Sequence, residues 1–154
     1  MLYENELMRD ERFMAMALDE AMAAAAEGEV PVGAVVVCNN KVIARTHNLT
    51  ERLNDVTAHA EMQAVTAAAD YLNGKYLTEC TLYVTLEPCP MCAGALKWAQ
   101  LGRLVYGASD PKRGYRSAYA DPDAALHPRT VVDHGVLSDD CLDVMKEFFR
   151  KKRR

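Results

Sequence analysis

Short β-branched runs, GAVVVCNNKVIAR, TLYVTLEPC and GRLVYGAS, alternate with alanine-rich stretches at helical spacing, and that alternation leaves few folds open. The pattern predicts an α/β sandwich, with one sheet covered by helices on both faces. The first run reads as a β-hairpin turning at Asn39–Asn40. Upstream, DERFMAMALDEAMAAAAEG reads as a helix that Asp10 caps and Gly28 closes. Phe13, Ala17, Ala21 and Ala24 share one face of it as core positions, while Asp19 and Glu20 fall elsewhere. HAEMQAVTAAADYL and PMCAGALKWAQ are the next helices, the second with Pro90 in its first turn. Residues 110–129 read as a loop with a short helix. TVVDHGVL reads as a last strand, and SDDCLDVMKEFFRKKRR as a closing helix capped by Ser138. Cys38, at a strand end, reads as packing.

A chain of 154 residues with half its residues hydrophobic can bury one core, so a single domain over 1–154 is expected. No apolar run approaches the roughly 18 residues of a membrane span. The charged start, MLYENELMRDERF, is unlike a signal peptide, and a cytoplasmic protein with no membrane partner is expected. Five cysteines, an odd number, point to reduced thiols in metal or catalytic use and away from a disulfide framework. The net charge of −4 is unevenly spread, since the chain ends in RKKRR. Without that run 13 basic residues face 22 acidic ones, a balance of −9. The run is either a solvated tail or a phosphate-contacting arm, and its own residues do not choose.

Two short motifs carry the chemistry. His59 and Glu61 form His-x-Glu at one helix start; Cys89 and Cys92 form Cys-x-x-Cys at another. Cys-x-x-Cys at a helix N-terminus puts both sulfurs on one turn near the positive end of the dipole, which favours thiolates. With one imidazole the set becomes Cys₂His, three protein ligands for zinc, and the open fourth position suits a catalytic water. Glu61 need not be a ligand and can stand beside that water as proton carrier. Zinc lowers the pKa of a bound water toward ~7. Water attack on an amidine-like carbon with loss of ammonia is deamination, and His-x-Glu…Pro-Cys-x-x-Cys is the signature of zinc nucleobase deaminases. Two other readings compete with this one. A redox Cys-x-x-Cys needs no accompanying His-x-Glu. A structural zinc needs a fourth ligand, and the candidates Cys80, His47, His127 and His134 have no local ligand spacing to the pair.

Beyond these motifs, GEVPVGAVVV at 28–37, HN at 47–48, TAHAEMQA at 57–64, TLYVTLEPCPMCAGAL at 81–96 and RLVYGASDPKRG at 103–114 occur in order, followed by GVLSDDC and FFRKKRR. Together they resemble the cytidine deaminase superfamily and, within it, the bacterial tRNA-specific adenosine deaminases. The resemblance covers nearly the whole chain. It implies a three-layer α/β/α sandwich with a five-stranded mixed sheet, a homodimer, and one Zn²⁺ per subunit held by His59, Cys89 and Cys92. Glu61 would carry protons. Asn48 would hydrogen-bond the target base in a pocket with Val30, Pro31, the Ala60 backbone and Leu86. The implied reaction converts adenosine at the wobble position of a tRNA anticodon to inosine, with the base splayed out of the loop. Asp110, Lys112 and the 150–154 run, Arg150 and Lys151 among it, would contact the anticodon stem-loop.

The chain departs from the family pattern in places. Val56 stands where proline is usual, and YRSAYADPDAALHPRTVVDHG fits only loosely and is shortened. Pro90 and KWAQ are also similar to bacterial guanine deaminases, whereas Leu86, AGAL and the basic C-terminus favour the tRNA enzyme. Trp98 is expected in the core or at a dimer contact. The alternatives are a deaminase of free guanine, cytosine or a nucleoside with the same zinc chemistry, and a zinc-dependent RNA-binding module without catalysis.

Overall fold

In a computed structural model, which describes residues 4–153, the apolar strand β1 (Gly33–Cys38) lies inside a five-stranded sheet. The other strands are β2 (Lys41–His47), β3 (Cys80–Leu86), β4 (Arg103–Ala108) and β5 (Val131–His134), in the order β2-β1-β3-β4-β5. β1 runs antiparallel to both β2 and β3, while β3, β4 and β5 are parallel, so the sheet is mixed. The hairpin turns at Asn39 and Asn40, both in the left-handed region (φ 52° and 61°) that asparagine tolerates better than most residues.

Helix α1 (Glu6–Ala26) and helix α5 (Ser138–Lys152) cover one face; α2 (Ala60–Leu72) and α3 (Pro90–Trp98) cover the other. The two cores follow the pleat: Ala34 and Val36 of β1 face α2 and α3, and Val35 and Val37 face α1. Phe13, Ala17, Ala21 and Ala24 are buried as expected. Gly33 permits a close approach that any side chain would block. A Cβ there would lie 1.9 Å from the Ala17 carbonyl oxygen and 2.5 Å from the Ala21 nitrogen. His47, at the end of β2, bonds Glu20 and Glu27 (2.9 and 3.1 Å) and ties that strand to α1. Between β4 and β5 lie a short helix, α4 (Tyr115–Ala118), and one 3-10 turn (Pro122–Ala125), the loop with a short helix that the sequence predicts.

Two expectations are corrected and a third is narrowed. Asp10 does not cap α1; Asn5 does, accepting the Met8 N–H at 2.8 Å. Asp10 is buried inside the helix, where it takes a bidentate bond from Arg103 (2.8 and 2.8 Å) and the Tyr83 hydroxyl (2.7 Å). Ser138 is the first residue of α5 and makes no cap bond; Leu137 precedes it in the left-handed conformation. Of the two places expected for Trp98, its 84% exposure at the end of α3 excludes the core and leaves the dimer contact as the remaining expectation. Val56, also 84% exposed, occupies a loop surface that does not require proline packing. No described helix is long and apolar enough to cross a membrane.

Candidate metal centre and substrate cleft

Because β2 and β3 are both antiparallel to β1, they point the same way, and the helices that follow them start at one edge of the sheet. The carboxyl ends of strands are where open α/β sheets build their sites. His59 is the N-cap of α2 and Cys89 the N-cap of α3, both with extended backbone, and neither side chain caps its helix. Both are therefore left to meet each other. His59 Nδ1 lies 3.6 Å from Cys89 Sγ and 3.5 Å from Cys92 Sγ, the latter from the first turn of α3. The three ligating atoms lie within 4.8 Å of one another, and no fourth His, Cys, Asp or Glu joins them among the described residues. Cys80, His47, His127 and His134 lie outside the cluster.

The electrostatics suit a soft divalent cation. The Cys89 thiol is pushed down to about 4, first by the hydrogen bond from Cys92, then by that from His59 and by the imidazole charge, against burial. Cys92 is pushed up because its proton is held by Cys89 and because it is buried. His59 is raised, chiefly by its bond to Cys89. A thiolate, a second thiol poised beside it and an imidazole at one point are a donor set that could hold a metal ion with three protein ligands. Glu61, in the first turn of α2, is 4% exposed, and burial raises its carboxyl group to about 7. A group so placed can hold or release a proton near neutral pH.

His59 and Cys89 of the cluster line a cleft of about 590 Å³, while Cys92 is fully buried and outside the lining. Of the predicted site residues, Val30, Asn48, His59, Ala60, Glu61, Leu86, Cys89, Asp110 and Lys112 line it. Pro31 is buried next to Val30 and does not line it; Arg150 and Lys151 also lie outside the lining. Those two cations pair with Glu147 (2.7 and 3.9 Å) on the exposed side of α5. Asn48 is buried, its Oδ1 accepting the Thr50 N–H at 3.2 Å and its Nδ2 donating to the Val30 carbonyl at 3.4 Å. That second bond is long, so a ligand carbonyl or ring nitrogen can compete for the amide.

Sequence reasoning missed several members of the site. Met145 and Phe149 line the cleft from α5, and their spacing of four, continued by Arg153 of the predicted 150–154 run at the helix C-cap, is a periodic signal that could have found them. Arg113 lines it beside Lys112. Glu29, 1% exposed, accepts the N–H groups of Glu51 and Arg52 (2.9 and 2.8 Å) and fixes the loop after Asn48. Glu87, 5% exposed, does the same for the loop after β4. Neither acid had a local signal, because the partners of both are backbone groups more than 20 positions away. A second cavity of about 510 Å³ beside Tyr115 and the 3-10 turn contains none of the predicted residues and no cluster of ligating groups.

Known proteins align with this arrangement. The sequence model of the MafB19-like deaminases matches residues 8–153. The tRNA-specific adenosine deaminase of Agrobacterium fabrum is 43% identical over 145 residues, covering 92% of this chain and 94% of that one. A solved structure from work on A-to-I editing by tRNA:A34 deaminases at the wobble position of transfer RNA superposes with a TM-score of 0.80. It is 42% identical and covers 86% of this chain and 98% of its own. A guanine deaminase from Nitrosomonas europaea superposes with a TM-score of 0.79 at 25% identity, covering 90% of this chain and 83% of its own. The chain belongs to the MafB19-like deaminases and, within them, to the family of tRNA-specific adenosine deaminases.

Proposed function

We propose that this protein hydrolyses adenosine to inosine at the wobble position of a tRNA anticodon, acting as one deaminase domain over residues 1–154. The observation that carries the reading is the buried Glu61 beside a Cys₂His cluster, in a cleft that Glu61, His59 and Cys89 line together with Asn48. His59, Cys89 and Cys92 hold the metal, one zinc ion per chain. When bound, zinc supplies the Lewis acidity that makes a water molecule reactive at neutral pH.

The chain's own groups do the rest. Asn48 orients the purine, and Val30, the Ala60 backbone and Leu86 form its apolar slot, with Pro31 supporting Val30 from behind. Glu61 removes a proton from the attacking water as the oxygen adds to C6. It returns that proton to ring nitrogen N1, then passes the remaining hydroxyl proton to the departing amine. Water is consumed and ammonia is released, so atoms balance. The cleft admits a base only if it is turned out of the RNA stack. Asp110 and Lys112 on one side and Arg153 at the basic end of α5 on the other face the anticodon stem-loop, with Arg150 and Lys151 on the outer side of that helix end.

The 42–43% identity to tRNA:A34 deaminases, against 25% to the guanine deaminase, favours the RNA substrate over a free base. We also propose a cytoplasmic homodimer. The 84% exposed Trp98 and 37% exposed Met91 on α3 form an apolar surface that a second copy can cover. The decisive experiment offers the protein an anticodon stem-loop with adenosine at position ~34, and free guanine, cytosine and adenosine separately, measuring inosine and ammonia. Inosine in the RNA supports the reading. Ammonia from guanine with none in the RNA sinks it.

A further inference from the structure

Every backbone N–H between Asp110 and Arg116 has a partner inside the protein. Asp110 donates to Glu87 Oε1 (3.0 Å), and Pro111 has no N–H. Lys112 and Arg113 donate to Asp110 Oδ1 (3.2 and 3.1 Å), and Gly114 to the Asp110 carbonyl (2.8 Å). Tyr115 donates to the Pro88 carbonyl (2.9 Å), and Arg116 to Glu87 Oε2 (3.0 Å). Surface loops ordinarily give such groups to water. Here both ends of the loop are tied to one buried side chain, two positions before Cys89. Glu87 also donates its own N–H to the Ala108 carbonyl (2.8 Å), so it is fixed to the end of β4.

Gly114 belongs to this device. Its backbone (φ −69°, ψ 154°) suits any residue, but a Cβ would lie 2.0 Å from Glu87 Oε2 and 2.6 Å from the Asp110 carbonyl oxygen. A carboxylate bonded at both oxygens cannot swing aside, so only glycine lets the loop close on it. The loop carries Lys112 and Arg113, both exposed on the cleft wall and, among the described residues, with no carboxylate within ion-pair distance.

We infer that Glu87 is a positioning residue for RNA: its carboxylate locks the Asp110–Arg116 loop so that Lys112 and Arg113 meet phosphates at the mouth of the cleft. This rests on the RNA reading above. The prediction has a sign that charge alone would reverse. Replacing Glu87 by glutamine removes a negative charge from the cleft, which by Coulomb's law favours a polyanion. It also puts an NH₂ group where one of the two N–H donors needs an acceptor, on a side chain only 5% exposed. The loop then leaves its place.

The test measures binding of an anticodon stem-loop across a salt series, with metal content checked. Glu87→Gln should weaken binding about tenfold at low salt, as expected for a lost bond to a charged acceptor. It should also flatten the slope of log K against log salt by about 1 to 2, the share of two phosphate contacts. Gly114→Ala leaves Glu87 in place, should flatten the slope equally, and carries the test if Glu87→Gln does not accumulate. Removing Lys112 and Arg113 in the Glu87→Gln background should cost little more, because the effects share one origin. A merely structural role would lower thermal stability and leave the slope alone. Variants that bind as tightly as wild type with the full slope overturn the inference. Wild-type protein that neither binds nor deaminates the stem-loop overturns the RNA reading instead.

Discussion

His59 Nδ1 lies 3.5 Å from Cys92 Sγ although 33 positions separate the two residues in the chain. The sheet order makes this contact: with β1 between them, β2 and β3 deliver two helix N-termini to one edge. Two half-charges of like sign then meet where thiolates and a buried carboxyl group gather. That placement stabilises the anionic ligand forms a divalent cation requires. The same edge collects the start of β1, with Val30 and Asn48 beside it, and the loop after β4. Ligands, base slot and RNA wall are thus consequences of strand direction.

Glu61→Gln should keep its metal and lose turnover by at least about 10²-fold, the usual contribution of a positioned proton carrier. The substitution keeps the shape of a fully buried side chain, so folding should survive. Metal analysis beside inosine formation decides. Loss of the metal would make Glu61 a ligand and remove it from the proton pathway.

Removing the metal with a chelator should abolish deamination, and adding zinc back should restore it. The folded chain should also lose stability, because a ligand bound only to the native state contributes about 4 kcal/mol at 1,000 times its Kd. Thermal melting with and without chelator measures this. Apo protein with full activity would dismiss the metal centre. Cys89→Ser should behave like the apo protein even in excess zinc, since a hydroxyl group replaces the thiolate held near pKa 4.

Local patterns made much of this molecule legible in the sequence. The Asn39–Asn40 hairpin, the buried stripe from Phe13 to Ala24 and the starts of α2 and α3 all rest on near neighbours, and their chemistry announces them. The metal motifs were legible for a different reason: few side chains can do that chemistry. Asp10 misled because aspartate is a common cap, whereas its actual partners, Tyr83 and Arg103, lie 73 and 93 positions away. Glu29 and Glu87 were invisible because they bind backbone, which has no letter in the sequence. Arg153 was legible only as one member of the 150–154 run, because a charge run does not say which side of its helix faces the cleft.

The Asp10–Arg103 pair predicts a pH-dependent stability. Burial raises the Asp10 carboxyl group, but the bonds from Arg103 and Tyr83 and the Arg103 charge outweigh it and hold the group below its ordinary value. A depressed folded value contributes stability above the unfolded pKa of ~3.9 that is lost as pH falls through the folded value. Asp10→Asn should therefore cost about 3 kcal/mol near pH 7, where it leaves Arg103 with a poorer partner. The gap from wild type should narrow as the pH drops below ~3.9. Denaturant unfolding at both pH values checks it; a gap independent of pH would mean the pair is not ionised in the way described.

The basic end of α5 divides into two sides, and they should behave differently. Arg150 is bonded to Glu147 by two contacts (2.9 and 2.7 Å), and Lys151 also approaches that carboxylate, whereas Arg153 lines the cleft. A cation already half-neutralised by a neighbour displaces fewer counterions from RNA than one facing the groove. Arg153→Ala should flatten the salt dependence of stem-loop binding by about one unit, and Arg150→Ala by clearly less. Glu147→Ala should free Arg150 and steepen the slope. Equal slopes for all three variants and wild type would return the whole run to the role of a solvated helix end. A larger effect from Arg150 than from Arg153 would mean that the RNA lies across the outer side of α5, away from the cleft wall that Met145 and Phe149 share with Arg153.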